Sequence, residues 1–278
     1  MKKNEVKELT IEEIQQESFK VLLKIKEIFE QNNWHYYLAY GTLIGAVRHQ
    51  GFIPWDDDID IWVPRPDYEK FIDYCIENEN ALYPFKLIHY KNNNKYIYTL
   101  ARFTDTRYAI DYDNVPNYGL GLFVDIYPLD GYNGRDKIML KRSVRLKKMI
   151  GACGLNSMIK SNNVVRNIIK IPYYKLMKKF NVTKLIKKCD LVCQKYPFED
   201  YDIVDCWCWA TDLGYMTKEE FGFDEKNTLL FNGTEFSVPK DYDSILTRLY
   251  GDYMKLPPKE KRIAQHNYKA YKKQENDK

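Results

Sequence analysis

The 278-residue sequence lacks any uncharged run that approaches the roughly 20 apolar residues of a membrane-spanning helix. Its longest uncharged runs, such as residues 149–159, hold about a dozen residues. Residues 1–5 are charged and lead into an amphipathic pattern, unlike the apolar region of a secretion signal. No repeat or low-complexity linker interrupts the chain. These absences argue against an integral membrane or secreted protein and predict a cytoplasmic one.

Cysteine is scarce, with six residues in all and no CxxC pair. Without a secretion signal, this usage is typical of reduced, mostly buried thiols. The closeness of Cys189 to Cys193, and of Cys206 to Cys208, leaves zinc binding open as an alternative. The four histidines show no metal spacing, and no motif indicates a Ser-His-Asp triad. His266 is either a structural residue or a phosphate contact.

Apolar residues make up 45% of the chain and charged residues 29%, which excludes wholesale disorder and a small disulfide scaffold. The net charge of +4 hides a strong asymmetry. Residues 135–195 hold 17 Lys and Arg against two acids, Asp136 and Asp190, a charge of +15, and the remainder therefore carries −11. Such a segment fits a polyanionic partner, which can be nucleic acid, an anionic membrane surface or an acidic polymer, or it forms solvated helix faces.

Apolar spacing predicts a mixture of helices and short strands. Thr10 and Glu13 have the spacing of a capping box, and helical periodicity continues to about Gln31. The further predicted elements are a strand over 34–40, a helix from Leu43, a strand within 56–63, a helix over 68–76 capped by Asp67, strands over 85–90, 96–104 and 122–126, basic helices over 135–195, a strand over 203–209 and a helix over 243–250. Arg262 and His266 are placed in a helical tail, and residues 269–278 are expected to fray.

Paired carboxylates mark the most informative segment. In the predicted strand, Asp58 and Asp60 point to one face, while Ile59 and Ile61 point into the core. Two adjacent carboxylates repel each other unless a cation lies between them. Oxygen ligands of this kind suit Mg²⁺ or Mn²⁺ together with substrate phosphates. The alternative is an exposed acidic loop that begins a strand; Asp56 shares the parity of Asp58.

A phosphate-binding turn is predicted just upstream. Gly41 lets the backbone approach a phosphate, Thr42 adds a hydroxyl, and the following helix presents free N–H groups. Arg48, about two turns later, can reach an anion. Glycine before a helix often merely ends a strand, so this prediction depends on the carboxylates downstream.

A third carboxylate, Asp125, lies among apolar strand residues and is expected to need a partner such as a metal. The alternative is a helix-cap or turn role at the end of the strand, which suits Asp130 better. Arg102, on another predicted strand, either stabilises phosphoryl charge or forms a surface ion pair. Trp55 either stacks on a ligand, such as a base or a quaternary ammonium, or packs in the core.

The long motifs of the chain resemble those of the LicD family, and the fukutin-type glycan transferases are similar in the same core. The resemblance covers most of the chain, least over 135–200. The motifs that carry it are Tyr40-Gly41-Thr42-Leu43-Ile44-Gly45-Ala46-Val47-Arg48-His49, Gly51-Phe52-Ile53-Pro54-Trp55-Asp56-Asp57-Asp58-Ile59-Asp60, Val124-Asp125-Ile126-Tyr127-Pro128-Leu129-Asp130-Gly131 and Tyr250-Gly251-Asp252-Tyr253-Met254-Lys255-Leu256-Pro257-Pro258.

The resemblance implies an α+β, nucleotidyltransferase-like fold in which a mixed sheet is flanked by helices, with a basic helical insertion. We expect a single domain over 1–278, divided into a core (10–131), the basic segment (132–200) and a part that completes the site (201–270). The resemblance further implies transfer of phosphocholine, or a related phospho-alcohol, from a CDP-activated donor such as CDP-choline to a glycan hydroxyl. The acceptors would be teichoic acid, capsule or lipopolysaccharide.

Carried onto this sequence, the resemblance implies that Asp58, Asp60 and Asp125 bind Mg²⁺ or Mn²⁺. Asp125 would also be the base. Gly41, Thr42 and Arg48 would hold donor phosphates, with Arg102 or Arg48 stabilising the transferred group. From its own basic amphipathic pattern, we expect the basic segment to lie on an anionic membrane surface and to dock a lipid-linked or polyanionic acceptor at the inner leaflet; no nucleic acid is expected. A nucleotidyltransferase that transfers NMP to RNA or a small molecule remains the alternative, followed by a non-catalytic binding module.

Overall fold

The computed structural model describes residues 7–209, 214–264 and 268–274. The described residues form eight α-helices, α1 (Ile11–Asn32), α2 (Tyr40–His49), α3 (Arg65–Glu77), α4 (Lys137–Gly154), α5 (Val164–Met177), α6 (Val182–Cys193), α7 (Lys218–Phe221) and α8 (Tyr242–Tyr250). The strands are β1 (Tyr37–Leu38), β2 (Asp60–Pro64), β3 (Phe85–Ile88), β4 (Ala101–Asp105), β5 (Tyr108–Tyr112), β6 (Leu122–Tyr132), β7 (Ile203–Asp205), β8 (Met216–Thr217), β9 (Thr228–Phe231), β10 (Thr234–Ser237) and β11 (Tyr268–Lys272). This content confirms the predicted α+β class.

One mixed sheet organises the molecule, with strand order β1-β2-β6-β4-β3. β2 and β6 run parallel, whereas β1 pairs with β2, and β4 with both β3 and β6, in antiparallel fashion. The carboxyl half of β6 continues into a second antiparallel ladder with β7 and β8. Helices α1 and α3 pack on this sheet and bury large side chains such as Phe29, Phe71 and Phe103 between the helices and the sheet. The sheet and its helices therefore form the rigid frame on which β2 and β6 are held.

The first helix confirms its sequence signals. The Thr10 hydroxyl accepts a hydrogen bond from the Glu13 amide, and the Glu13 carboxylate accepts one from the Thr10 amide. α1 then buries one apolar face, which includes Val21, Leu22 and Ile25. The capping box and the helical periodicity thus set the start and the packing face of α1.

Two helix starts differ from the sequence prediction. α2 begins at Tyr40 rather than Leu43, so Gly41 and Thr42 lie inside its first turn. α3 begins at Arg65 with Pro64 as its N-cap, and the prediction that Asp67 caps it is wrong. A proline in the first turn of a helix costs little because the first-turn amides have no intrahelical acceptor, so Pro66 does not delay the start. Asp67 instead accepts a hydrogen bond from the His35 amide.

Several strands are shorter than predicted, and others were missed. β2 begins only at Asp60, β4 only at Ala101, and β7 stops at Asp205 because the following residues form a turn. β5 and the β9–β10 hairpin were not predicted from the sequence. The end of the chain corrects a further prediction. Tyr268–Lys272 is a strand paired with β5 instead of a frayed tail, and the helical stretch before it is only a 3-10 turn at Lys259–Lys261.

The basic segment is helical, as predicted, and it forms the three helices α4, α5 and α6. α4 and α6 pack closely against each other, whereas α5 contacts the rest far less. Asp190 of α6 is buried and pairs with Arg65 (3.1 Å), whose guanidinium also binds both oxygens of Asp130. This buried ion network fastens the basic helices to the sheet. In the part of the chain that the structure describes, no helix combines the length and apolarity needed to cross a membrane.

Candidate active site at the paired parallel strands

The two parallel strands place two carboxylates side by side. Asp60, the first residue of β2, is the register partner of Asp125 in β6. The Asp125 amide donates to the Ile59 carbonyl (2.8 Å), and the Asp60 carbonyl accepts from Ala39 (3.0 Å). Asp60 is 7% exposed and Asp125 5%. The structure therefore brings together two of the three predicted metal ligands on adjacent, well-anchored backbones.

The electrostatic surroundings of Asp60 are unfavourable for an ionised carboxylate. Burial raises its pKa well above the usual range, and the nearby charges of Asp58, Asp125 and Asp56 raise it further, whereas Arg102 lowers it. The Oδ1 atom of Asp60 is buried and has no hydrogen-bond partner. An orphaned acceptor among like charges is costly, and a bound cation would remove both penalties.

The acidic loop before β2 lies beside this pair. Carboxylate oxygens of Asp56, Asp57 and Asp58 come within 4.8 Å of one another. Asp58 lies two residues before β2. The alternation of side chains along a strand therefore applies to Asp60 and does not by itself fix the direction of Asp58. Its charge nevertheless acts on Asp60 more strongly than those of Asp125 and Asp56. The proximity of these charges is compatible with the prediction that Asp56, Asp58 and Asp60 face the same site.

Backbone contacts hold the acidic loop in place. The Gln15 side chain of α1 donates to the carbonyls of Ile53 (3.2 Å) and Asp56 (2.7 Å). On the other side, the hydroxyl of Tyr268 in β11 donates to the Asp57 carbonyl (2.6 Å). Both contacts are made to backbone carbonyls, so they fix the path of the loop rather than its carboxylates. A set of carboxylate oxygens around an orphaned acceptor fits the hard-oxygen preference of Mg²⁺ or Mn²⁺.

Arg102 lies next in the same row, because β4 pairs it with Asp125. Its guanidinium binds both Asp125 oxygens (2.6 and 3.2 Å) and donates to the Tyr118 hydroxyl (2.8 Å). It lies over the rings of Phe123 (4.3 Å) and Tyr98 (4.5 Å) and is 6% exposed. The alternative that Arg102 forms an ion pair at the surface is therefore wrong, because the pair that it forms with Asp125 is buried. The structure shows a buried residue that orients Asp125.

The first turn of α2 lies against the acidic loop. A methyl group added to Gly41 would come within 2.6 Å of the Asp56 carboxylate, so only glycine fits there without a shift. The buried Thr42 hydroxyl accepts a hydrogen bond from the Asp60 amide (2.9 Å). Because the amides of a first helical turn have no intrahelical acceptors, they can bind an anion. Gly41 and Thr42 thus link the helix start directly to the carboxylates.

Tyr40 is a feature that the sequence interpretation missed. It adopts a left-handed backbone conformation (φ 46°), which is strained for a residue with a side chain. Its ring packs against Trp62 of β2 (4.9 Å) and Tyr127 of β6 (5.1 Å). The aromatic contacts hold the strained start of α2 over the two parallel strands. The only sequence signal was its place in the motif before Gly41.

Arg48 lies at the other end of α2. Its guanidinium donates to the Tyr253 carbonyl (2.6 Å) and to a ring nitrogen of His49 (3.0 Å). Burial and the nearby charge of Arg262 lower the Arg48 pKa. Arg262 in turn lies 5.6 Å from the Trp55 ring centre. Arg48 and Arg262 thus lie near each other close to the acidic loop, and a bound anion would stabilise this arrangement. His266, the other predicted phosphate contact in this part of the chain, lies outside the described residues.

The cysteines do not form a metal centre in the described part of the chain. All six thiols are free and buried, as predicted. Cys206 and Cys208 approach each other (3.4 Å between sulfurs), and Ser143 lies near Cys189 and Cys193. Within 7–209, 214–264 and 268–274, the acidic triplet 56–58 alone gathers three potential ligands within 4.8 Å. The zinc alternative therefore finds no support.

Comparisons with known proteins identify the family to which the chain is similar. Residues 33–149, which span α2, β2, β4 and β6, match the family described as LicD/FKTN/FKRP, nucleotidyltransferase domain. Over 274 residues, the chain is 31% identical to the lipopolysaccharide cholinephosphotransferase LicD of Haemophilus influenzae, covering 96% of this chain and 99% of that protein. An uncharacterized protein of Rickettsia prowazekii is 35% identical over 97 residues, 29% of this chain and 36% of that protein.

Proposed function

Since the chain belongs to the LicD family, we propose that it transfers phosphocholine, or a related phospho-alcohol, from a CDP-activated donor to a glycan hydroxyl. The relative from Haemophilus influenzae, named as a lipopolysaccharide cholinephosphotransferase, supports the transferred group and one acceptor class. The observation that carries the proposal is the row Asp60–Asp125–Arg102 across three paired strands, with Asp60 Oδ1 left without a partner.

We assign the binding of Mg²⁺ or Mn²⁺ to Asp58, Asp60 and Asp125. When bound, such a cation would supply Lewis-acid stabilisation of the charge that develops on phosphoryl oxygens. Asp60 contributes the orphaned oxygen, and Asp58 the strongest neighbouring charge. Arg102 binds both oxygens of the Asp125 carboxylate, which fixes the direction in which its remaining lone pairs point.

The donor diphosphate is assigned to the start of α2. Gly41 permits close approach of the backbone, and the first-turn amides present donors to phosphate oxygens. Thr42 holds the Asp60 backbone and so keeps the helix start and the carboxylates at a fixed separation. Arg48, with Arg262 beside it, supplies positive charge at the far end of the same helix. Both ends of α2 would thus contribute to anion binding.

The reaction forms one bond and breaks one. The acceptor oxygen bonds to the phosphorus that carries the alcohol, and the bond from this phosphorus to the bridging diphosphate oxygen breaks, releasing CMP. Asp125 takes the hydroxyl proton in this proposal, since each of its oxygens keeps a lone pair beyond the bond to Arg102.

We propose that the acceptor glycan binds in a cavity of about 980 Å³. It is lined by the polar loop 90–95, by residues 117–119 and by Thr183 of α6. Tyr118 lines the cavity and also binds Arg102, so the cavity adjoins the residue that orients Asp125. Amide, hydroxyl and lysine groups around an open cavity suit a polar saccharide.

We propose that the donor comes from the cytoplasm and that the reaction occurs there, at the inner membrane face.

The test combines purified protein, CDP-choline, Mg²⁺ and one glycan in each reaction, with lipopolysaccharide, teichoic acid and capsule in separate arms. We expect CMP release that depends on the acceptor, with phosphocholine appearing on the glycan. Parallel arms with CDP-ribitol and CDP-glycerol identify the transferred alcohol. Acceptor-dependent pyrophosphate release from a nucleoside triphosphate, without reaction of any CDP-alcohol, would overturn the proposal in favour of NMP transfer.

A further inference from the structure

α5 exposes a row of large apolar side chains. Val164 is 71% exposed and Ile169 68%, and Val165, Ile168 and Leu176 are also more than half exposed. Met177 is the one residue of this 14-residue helix that is buried. A helix on a globular protein normally turns its apolar stripe toward the core. α5 does the opposite, so water alone is an unfavourable neighbour for this surface.

The helix is oriented so that its apolar face points away from the protein. The less exposed positions are Asn167, Lys170, Tyr174 and Met177, which recur at helical spacing and mark the side that packs inward. At 100° per residue, Val165, Ile168, Ile169 and Leu176 fall on the opposite side. Exposure of these residues therefore follows from the direction of the helix and is not caused by scattered single side chains.

Positive charge surrounds this apolar face. Residues 137–189 contain no Asp or Glu, and residues 160–179 contribute six cations, which are Lys160, Arg166, Lys170, Lys175, Lys178 and Lys179. In the described ion pairs, none of these six has an acidic partner. Lys170 and Lys178 instead donate to backbone carbonyls, of Ile159 and of Cys153. The charge of the surface thus remains uncompensated.

The start of the helix is capped, and the segment before it is attached to the body of the protein. Asn163 caps its start by accepting from the Arg166 amide (3.1 Å). The segment before it is fixed through Ser157, whose amide (2.7 Å) and hydroxyl (2.8 Å) donate to the Asn114 side chain. Asn114 lies four residues before Tyr118, which binds Arg102 in the site. The segment that leads into α5 is therefore fixed to the loop that carries Tyr118.

From this geometry, we infer that the apolar face of α5 inserts into an anionic lipid surface. A 14-residue helix is about 21 Å long, shorter than the roughly 30 Å of a hydrocarbon core, and its cations favour lying in the interface. Exposed Ile and Val side chains with flanking Lys and Arg match an interfacial amphipathic helix. Nucleic acid would be recognised by the cations alone and would leave the apolar row in water. An anionic lipid surface would both cover the apolar row and neutralise the cations around it.

The experiment is flotation of the full chain with vesicles of phosphatidylcholine alone or with added phosphatidylglycerol, at low and physiological salt. We expect binding that needs the anionic lipid and weakens with salt. Ile168→Ser/Ile169→Ser should reduce binding at least tenfold. Lys175→Gln/Lys179→Gln should reduce it by roughly fivefold for each removed cation, because each cation contributes about 1 kcal/mol near such a surface.

Matched controls separate this surface from general exposure. Leu230→Ser, on the exposed side of β9, and Lys272→Gln, on β11, should leave binding unchanged. Asp60→Asn should also bind vesicles normally, so membrane binding and catalysis are tested independently. Absence of vesicle binding overturns the inference. So does a dimer that Ile168→Ser/Ile169→Ser dissociates, which would assign the face to a second copy, or RNA binding that only the lysine variant weakens.

Discussion

Asp60 and Asp125 occupy partner positions on two neighbouring parallel strands, and only Asp125 has a buried cationic partner. Arg102 binds both Asp125 oxygens, whereas Oδ1 of Asp60 faces no donor. The site is therefore asymmetric, with one carboxylate compensated by the protein and the other left for a ligand.

Replacing Asp60 by Asn should abolish transfer while stabilising the metal-free protein. Activity should fall at least a hundredfold, because the cation loses a ligand. The free energy of unfolding should rise by on the order of 1 kcal/mol, because one of several repelling charges is removed. Urea unfolding and CMP release measure the two effects.

The same variant provides a direct test of metal binding. Mn²⁺ should raise the melting temperature of the wild type but not of Asp60→Asn. Asp73→Asn, an exposed carboxylate on α3, is the matched control and should respond like the wild type. An equal Mn²⁺ response in Asp60→Asn would contradict the assignment of Asp60 as a ligand.

Removing Arg102 should strongly destabilise the fold. In Arg102→Ala, Asp125 remains buried beside Asp60 without its cation, a situation that typically costs about 3–5 kcal/mol. Arg102→Lys keeps the charge but loses the two-pronged contact, so an intermediate loss is expected. Equilibrium urea unfolding gives the values, with Arg142→Ala on the exposed surface of α4 as the control. Similar unfolding free energies for both alanine variants would show that the buried pair contributes nothing.

Gly41→Ala should reduce activity with little change in fold. The added methyl group meets the Asp56 carboxylate at 2.6 Å, so the acidic loop or the helix start must move. Mn²⁺ affinity and the KM for the donor should both worsen. Gly151→Ala is a matched control inside α4, where an added methyl meets no atom within 4 Å, and it should be neutral or stabilising by up to about 1 kcal/mol. Unchanged kinetics in Gly41→Ala would rule out the proposed close approach.

The buried Asp205 carboxyl should make stability depend on pH. Burial raises its pKa from 3.8 to about 7, despite hydrogen bonds from the backbone amides of Cys206 and Tyr215. Between these two values the folded chain holds a proton that the unfolded chain has released, so stability falls as pH rises from about 4 to about 7. Above this interval both states are ionised and the dependence ends.

Asp205→Asn should flatten this profile. Urea midpoints measured at steps between pH 4 and 8 compare the variant with the wild type, and other buried groups such as Asp130 are common to both proteins. A wild-type profile that rises over the same interval, or identical slopes in the two proteins, would contradict the raised pKa of Asp205.

Sequence reasoning located the chemical groups better than the strands that carry them. Motif order pointed to Asp58, Asp60 and Asp125, and the structure places the last two side by side. Pairing across strands could not be read from the sequence, so the role of Arg102 stayed undecided between phosphate and surface. Its aromatic surroundings come from Tyr98, Tyr118 and Phe123, which are brought together only by the sheet register. Tertiary pairing, and not local pattern, decides such contacts.

The errors at the two ends of the site have a similar cause. Tyr268–Lys272 carries basic residues without a clear apolar alternation, and it is a strand because β5 offers a free edge. α2 starts early because aromatic packing of Tyr40 compensates a left-handed backbone that local preference disfavours. Both features need a partner that is distant in sequence, and so neither has a local signal.

The hydroxyl of Tyr268 reaches from β11 to the carbonyl of Asp57, and the same strand also joins Leu9 through the Ala270 carbonyl. The last described strand therefore acts as a clasp, that is, it holds the backbone of the acidic loop in place through this hydrogen bond, although the two segments are more than 200 residues apart in the sequence. Trimmed versions of the chain, designed for crystallisation or expression, would release this clasp if they stopped before β11. Such products should be judged by their affinity for divalent ions, since yield and solubility would not reveal the damage.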